Sequence, residues 1–230
     1  MKSTTQPSLP ILHCPKIEAP PRLTGSIDDP VWQKAAKIDL VEAVSGRPGR
    51  WATSVRVAWS ECFLHVAFAC QDDYVWGTIL EHDGPIYDQE CVEIFLNPSG
   101  CRHQYFEINL SPKNVVFDAC ILNHRTEERP EAPFIGLPAW EAEGLRTAVA
   151  VQGIADRPGL ASGWSAEYAL PFAALCGAAH QPPQPGDLWR INFYRIDSPR
   201  LGVQELYAWS PVLLGTFHRP WRFGYLRFDA

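Results

Sequence analysis

An antiparallel all-β sandwich of about ten strands, jelly-roll or immunoglobulin-like, with one or two short helices, is the fold the sequence predicts. Three observations carry it. Short runs of alternating apolar and polar residues recur along the 230 residues, separated by clusters of turn formers. Proline is abundant, at 21 residues, which suits many short elements and works against long helices. Hydrophobic residues make up 46% of the chain and aromatics 12%, enough to fill one large core at this length.

Residues 1–20 lack periodicity and predict an arm or a surface strand; residues 21–230 predict a single domain. Arg22 to Ile27 predicts a short strand. Asp28-Asp29-Pro30 predicts a helix start, because an aspartate can cap it and proline suits its first turn, with VWQKAA continuing it. Gly46 to Gly49 is a turn. Thr53–Ser60 alternates Val55, Val57 and Trp59 against Arg56 and Ala58, whereas Phe63–Asp72 is more uniformly apolar and predicts a central strand. Asp73 to Asp88 is irregular and predicts a functional loop holding Trp76, His82 and Tyr87. Two charged, alternating runs follow, joined by the turn Asn97-Pro98-Ser99-Gly100 into a hairpin. Val115–Leu122 is a strand, and the polar segment His124–Trp140 is long enough to be either functional or mobile. Strands resume at Leu145–Gln152, Gly163–Leu170, Leu188–Asp197, Glu205–Ser210 and Gly224–Phe228, with a short helix over Pro171–Leu175.

Charge and composition exclude several function classes. The formal net charge is −6 with no lysine or arginine cluster, which argues against nucleic acid and against an anionic membrane surface as partners. No window approaches a transmembrane span. The start of the chain lacks an apolar run of signal-peptide length, and the seven cysteines form an odd set without CxxC; together these predict reduced thiols and a cytoplasmic location, or a secreted one if a leader has been trimmed. The seven histidines have no HxxxH or HExxH spacing for zinc, and the single methionine, Met1, leaves no methionine ligand for haem. No sequence feature bears on oligomeric state.

The chemistry is concentrated in the hairpin. Val92, Ile94 and Leu96 share one face of the first run, with Cys91, Glu93 and Phe95 on the other; Phe106, Ile108 and Leu110 share one face of the second, with Tyr105, Glu107 and Asn109 opposite. Acids and an amide beside aromatic rings suit a polyhydroxylated ligand, since rings stack on sugar C–H faces and polar groups take the hydroxyls. Tyr87 and Phe217 are candidate platforms, with Trp76, Trp221 and Tyr194 in reserve, set against plain edge-covering and core roles. Asn109 and Asn192 need partners inside strands and are candidate contacts, and His218 neighbours Phe217. Glu93 and Glu107 read as acceptors for ligand hydroxyls, as the carboxylate pair of a glycoside hydrolase, or, for Glu107, as a structural ion pair with Arg190, Arg195 or Arg219. Asp72 and Asp73 are an acid pair of the kind calcium favours.

The segments GSIDDPVW, TSVRVAWSECFLHVAFACQD, DGPIYDQECVEIFLNP, GWSAEYALPFAAL, GDLWRINFYRID, AWSP and FHRPWRFGYLRF occur in that order. Together they resemble carbohydrate-binding module family 9, within the DOMON-like β-sandwiches, over roughly Arg22 to Phe228. The resemblance implies a non-catalytic sandwich that binds the ends of glucan or xylan chains or short oligosaccharides, and it allows a structural calcium. It implies an aromatic clamp at Tyr87 and Phe217 where the family has tryptophans, and polar contacts at Glu93, Asn109, Asn192 and Tyr194. It also puts Glu107 where the family has arginine, a reversal of charge. A sugar-acting enzyme and a protein-interaction sandwich without a small ligand are the alternatives from other classes.

Overall fold

The structure, a computed structural model, describes residues 8–230; the part of the predicted arm before them lies outside the described residues. Fourteen strands occur among those described: β1 (Ile11–Cys14), β2 (Ala36–Asp39), β3 (Val41–Glu42), β4 (Thr53–Trp59), β5 (Phe63–Gln71), β6 (Cys91–Asn97), β7 (Gln104–Leu110), β8 (Val116–Asn123), β9 (Phe134–Leu137), β10 (Arg146–Gly153), β11 (Ala161–Pro171), β12 (Leu188–Arg200), β13 (Val203–Ala208) and β14 (Gly224–Phe228). They form two sheets. One has nine strands, β1-β14-β12-β6-β7-β8-β9 with β13 and β3 branching from β12; the other has five, β10-β11-β5-β4-β2. All pairings are antiparallel except that of β1 with β14. The sandwich expected from the sequence is the fold observed, with short turns of 3-10 helix in place of α-helices.

Strand alternation builds the core. Val92, Ile94 and Leu96 of β6, Phe106, Ile108 and Leu110 of β7, and Ile191 and Phe193 of β12 face Val55, Val57, Val66, Phe68, Ala166 and Tyr168 of the smaller sheet. The opposite face of the nine-stranded sheet carries a second apolar cluster, with Cys91, Phe95, Tyr105, Ile121, Tyr194 and Ile196 covered by Ile86, Val212, Phe217 and Phe223 from the segments before β6 and after β13. The central strands of this sheet are therefore buried on both faces, and a cavity lies within the second cover.

The N-terminal part departs from expectation in two places. Residues 22–27 are not a strand, because their amides are taken by a side chain: Glu167 on the outer face of β11 accepts from Thr24 N at 2.7 Å and Gly25 N at 2.5 Å. Gly25 has φ +82 and packs so close that a Cβ would lie 2.4 Å from the Val149 carbonyl carbon, so only glycine fits. The predicted helix is a single 3-10 turn, Pro30–Gln33, capped by Asp29, after which Ala36–Asp39 pairs with β4 as β2. Trp32 of that turn donates Nε1–H to Glu167 Oε1 at 2.6 Å. Within the predicted arm, Ile11–Cys14 forms β1, the strand alternative given for that segment, and pairs with β14.

One guanidinium ties the two sheets together. Arg195 of β12 is fully buried; its Nη1 donates to Thr53 Oγ1 on β4 at 3.0 Å and to the Gln71 carbonyl on β5 at 2.8 Å. Its Nη2 reaches Asp72 at 2.6 Å, Glu90 at 3.3 Å and Asp197 at 3.5 Å, all buried. Three carboxyls against one cation leave an excess of negative charge, and burial pushes the Glu90 carboxyl well up and that of Asp197 to about 7. Removing a buried ion's partner is far costlier than removing the whole pair. Arg195→Met is expected to lower stability by about 3–5 kcal/mol near neutral pH in urea unfolding. The deficit should shrink as pH falls, because Glu90 and Asp197, already raised, take up protons. A variant with the wild-type unfolding midpoint would contradict this.

Candidate functional site

The outward face of the nine-stranded sheet, between the 83–90 segment, β9 and the 215–218 segment, holds a cavity of about 510 Å³. That volume suits a small-molecule site. Alternation on β6 and β7 supplies its floor, with Glu93, Phe95 and Glu107. The other lining side chains include Tyr87 and Asp88, Phe117 and Ile121 of β8, Phe134 of β9, Gln204 and Leu206 of β13, and Thr216, Phe217 and His218. Gln204 Nε2 donates to the Tyr87 carbonyl at 2.7 Å, which fastens the rim loop to the start of β13.

The floor is acidic and poorly compensated. Glu93 pairs across the ladder with Asn109, and Phe95 with Glu107, so the two glutamates are diagonal neighbours on one face. Such positions lie about 7–8 Å apart, within reach of long side chains. Glu93 is 2% exposed and Glu107 5%. Cys91 Sγ lies 3.4 Å from Glu93 Oε1, and Asn109 Nδ2 donates to Glu107 Oε1 at 2.8 Å. Burial and the neighbouring Glu107 charge push the Glu93 carboxyl well up, and burial pushes Glu107 to about 7. None of the arginines considered as ion-pair partners for Glu107 reaches it. Arg195 bonds on the inner face, Arg190 donates to backbone carbonyls including that of Phe223, and the Arg219 guanidinium lies over Trp221.

His218 is held by a polar relay. Asn123 Nδ2 donates to Tyr105 Oη at 3.0 Å, which leaves the Tyr105 hydroxyl to donate to His218 Nδ1 at 2.7 Å. Burial, with Arg125 nearby, pushes the His218 pKa down to about 3, so the ring is neutral and its proton sits on Nε2. That nitrogen is 4.0 Å from Glu107 Oε2.

The walls are aromatic. His218 stacks on Phe134 with centroids 3.9 Å apart, Phe217 stacks on Tyr194 at 4.1 Å, and Tyr87 meets Phe117 edge-on at 5.1 Å. Tyr87 is 39% exposed at the rim, whereas Phe217 is only 7% exposed. Five of the eight residues predicted as ligand contacts, Tyr87, Glu93, Glu107, Phe217 and His218, line this one cavity. The other three lie a layer below it. Asn109 bonds Glu107; Asn192 Nδ2 donates to the Ser210 carbonyl and to Tyr194 Oη; and Tyr194 donates to the Phe217 carbonyl. All three are fully buried; Asn192 and Tyr194 spend their side-chain polar groups on the chain itself, whereas Asn109 Oδ1 has no hydrogen-bond partner. The reserves Trp76 and Trp221 are not part of the lining. Sequence reasoning missed Phe117 and Phe134; Phe134 falls in the long 124–140 segment, whose length was its only signal.

The acid pair Asp72-Asp73 does not form one donor set. Asp72 faces inward onto Arg195, and Asp73 faces solvent with Arg50 at 3.6 Å. A guanidinium within 2.6 Å of Asp72 takes the place a cation would need. A different group fits hard-cation chemistry better. His82, Asp83 and Asp118 place one ligand atom each within 4.8 Å of one another. Asp118 is 2% exposed, its Oδ1 has no hydrogen-bond partner, and burial raises its pKa to about 6.

The family described as carbohydrate family 9 binding domain-like matches residues 23–227. Among solved structures, a Bacteroides uniformis protein provisionally assigned as carbohydrate-binding superposes with a TM-score of 0.74 at 18% identity, covering 96% of this chain and 100% of the other. A family 9 module from Caldicellulosiruptor kristjanssonii in complex with cellotriose gives 0.66 at 13% identity over 96% and 94%; one in complex with glucose gives 0.62 at 14% over 95% and 96%. An Arthroderma benhamiae "Extracellular protein" is 24% identical over 175 residues, 72% of this chain and 73% of that one.

The relay beneath the cavity makes a testable claim. Tyr105→Phe removes the donor to His218 Nδ1 and should cost about 1–2 kcal/mol of stability. It should also shift His218 toward a mixture of tautomers, read from its ring nitrogen shifts. Unchanged shifts would contradict the relay.

Proposed function

We infer the function from one premise and one geometry: the chain belongs to the carbohydrate family 9 binding domain-like family, and its cavity has the make-up of a sugar site. Its function is to bind carbohydrate, a mono- or oligosaccharide or a chain end, without turning it over. The observation that carries this is the gathering of Tyr87, Phe117, Phe134 and Phe217 around the two floor carboxyls in one cavity. Rings present flat apolar faces to the C–H faces of a sugar, and carboxyl oxygens accept its hydroxyl protons. Tyr87, the exposed ring, is the platform at the rim. Phe217 acts from deeper in the wall, and Asn109, Asn192 and Tyr194 act by holding Glu107 and Phe217 in place. Neutral His218 orients its Nε2–H toward the Glu107 side of the floor. A partly open site that must desolvate several polar groups gives modest affinity, about micromolar to millimolar.

Two nearby carboxyls also suit glycoside hydrolysis, which needs one protonated and one ionised group. Here burial pushes both carboxyls up, and no positively charged side chain among the described residues lines the cavity to hold one of them ionised. Two measurements decide. Calorimetry or affinity electrophoresis with short gluco- and xylo-oligosaccharides should show binding, weakened about tenfold or more by Tyr87→Ala. Long incubation with aryl glycosides should release no product. A wild type that binds no sugar would overturn the reading, and turnover lost in Glu93→Gln would replace it with catalysis.

The calcium that the family resemblance allows would be held by Asp83 and Asp118, where it would neutralise a carboxylate pair and satisfy Asp118 Oδ1. Calcium should raise the melting temperature in proportion to the logarithm of its concentration above the dissociation constant, and Asp118→Asn should abolish the rise. Superimposable melts in calcium and in chelator would refute the assignment.

A further inference from the structure

We propose that the cavity selects an amino sugar, a hexose ring bearing a protonated amine, with the ammonium group set against Glu93 and Glu107. This rests on the carbohydrate reading above and adds the ligand's charge to it. The lining contains three acids, Asp88, Glu93 and Glu107, and no lysine or arginine. Its one histidine is neutral, since burial pushes His218 down to about 3. The adjoining cation, Arg125, is not part of the lining; it bonds Thr216 Oγ1 at 3.4 Å and the Ala132 carbonyl at 3.0 Å, and its guanidinium lies over Phe134 at 4.7 Å.

The contrast with buried acids elsewhere is the core of the case. Glu167 accepts three N–H donors, from Thr24, Gly25 and Trp32. Asp72, Glu90 and Asp197 share the Arg195 guanidinium. Glu93 has one thiol contact and Glu107 one amide donor, with the His218 nitrogen at 4.0 Å. A desolvated carboxylate pair needs a counter-charge or a proton. A hydroxyl ligand hydrogen-bonds a carboxylate but brings no counter-charge; an ammonium brings both the hydrogen bonds and the opposite charge, which is also favoured beside the rings of Tyr87 and Phe117.

The proton balance follows. Burial raises both carboxyls, Glu107 to about 7 and Glu93 well up, so near neutral pH the empty pair holds a proton. An arriving ammonium displaces it. Affinity should therefore rise with pH through that range, as long as the ligand amine stays protonated. The remaining lining acid, Asp88, is exposed at the rim and adds attraction without a desolvation cost.

Calorimetry on the full chain with three β-1,4-linked disaccharides tests this: cellobiose, the glucosamine dimer and its N-acetylated form. They share the ring and linkage and differ at C2. The glucosamine dimer should bind about tenfold tighter or more than cellobiose. Its heat should vary with buffer ionisation enthalpy in the sense of proton release. Glu107→Gln and Glu93→Gln should each erase the preference, and circular dichroism checks that the variants fold; the wild-type comparison needs neither variant. Cellobiose binding as tightly as the dimer would overturn the charge inference and leave carbohydrate binding standing. Silence toward all three, together with silence toward other sugars, would overturn both.

Discussion

The nine-stranded sheet is buried on both faces along its central strands, and that constraint shapes everything else. On β6, β7 and β12 one set of alternating side chains packs the core between the sheets, and the other set lies under a cover of loops. A single register therefore decides core and site together, and a one-residue slip would exchange them. Glu93 and Glu107 stand out of water because the strands that carry them are central, and the covering segments leave a cavity above them without fully solvating them.

The fold handles its buried charges in three ways. Around Arg195 it pairs them, and this cross-link lies immediately beside the cavity-bearing face: Glu90 precedes β6, and Arg195 follows Tyr194 on β12. Around Glu167 it surrounds an acid with N–H donors from the Pro30–Gln33 turn and the residues before it, which pins the N-terminal segment across the smaller sheet. At the cavity floor it supplies almost nothing. Buried polar groups of native proteins are generally satisfied, and on the proposed reading a ligand completes this under-compensated pair.

Much of this was legible along the chain. The hairpin of β6 and β7 and the alternation that separates Val92, Ile94 and Leu96 from Glu93 and Phe95 follow from period-two patterning and turn chemistry; Tyr87 is picked out by the resemblance and by its place in an irregular loop. Residues 22–27 were misread because a strand and a segment bonded to a distant carboxylate look alike locally; nothing near Thr24 announces Glu167. Asn109 and Asn192 stand inside strands and need partners, but sequence does not say whether the partner is a ligand or the chain's own groups: here they are the Glu107 carboxyl and the Ser210 carbonyl. Asp72 looked like a cation ligand because its true cation, Arg195, lies 123 residues away. Phe134 was invisible for the reason that β9 is short and mostly exposed.

The most direct test of the account is a backbone-amide NMR titration with short neutral and amino oligosaccharides, which locates the site without assuming it. Shifts should concentrate at residues 86–88, 93–95, 107, 134–136 and 215–218, the segments that surround the cavity. Shifts confined to the outer face of the five-stranded sheet, or spread without focus over the surface, would contradict it.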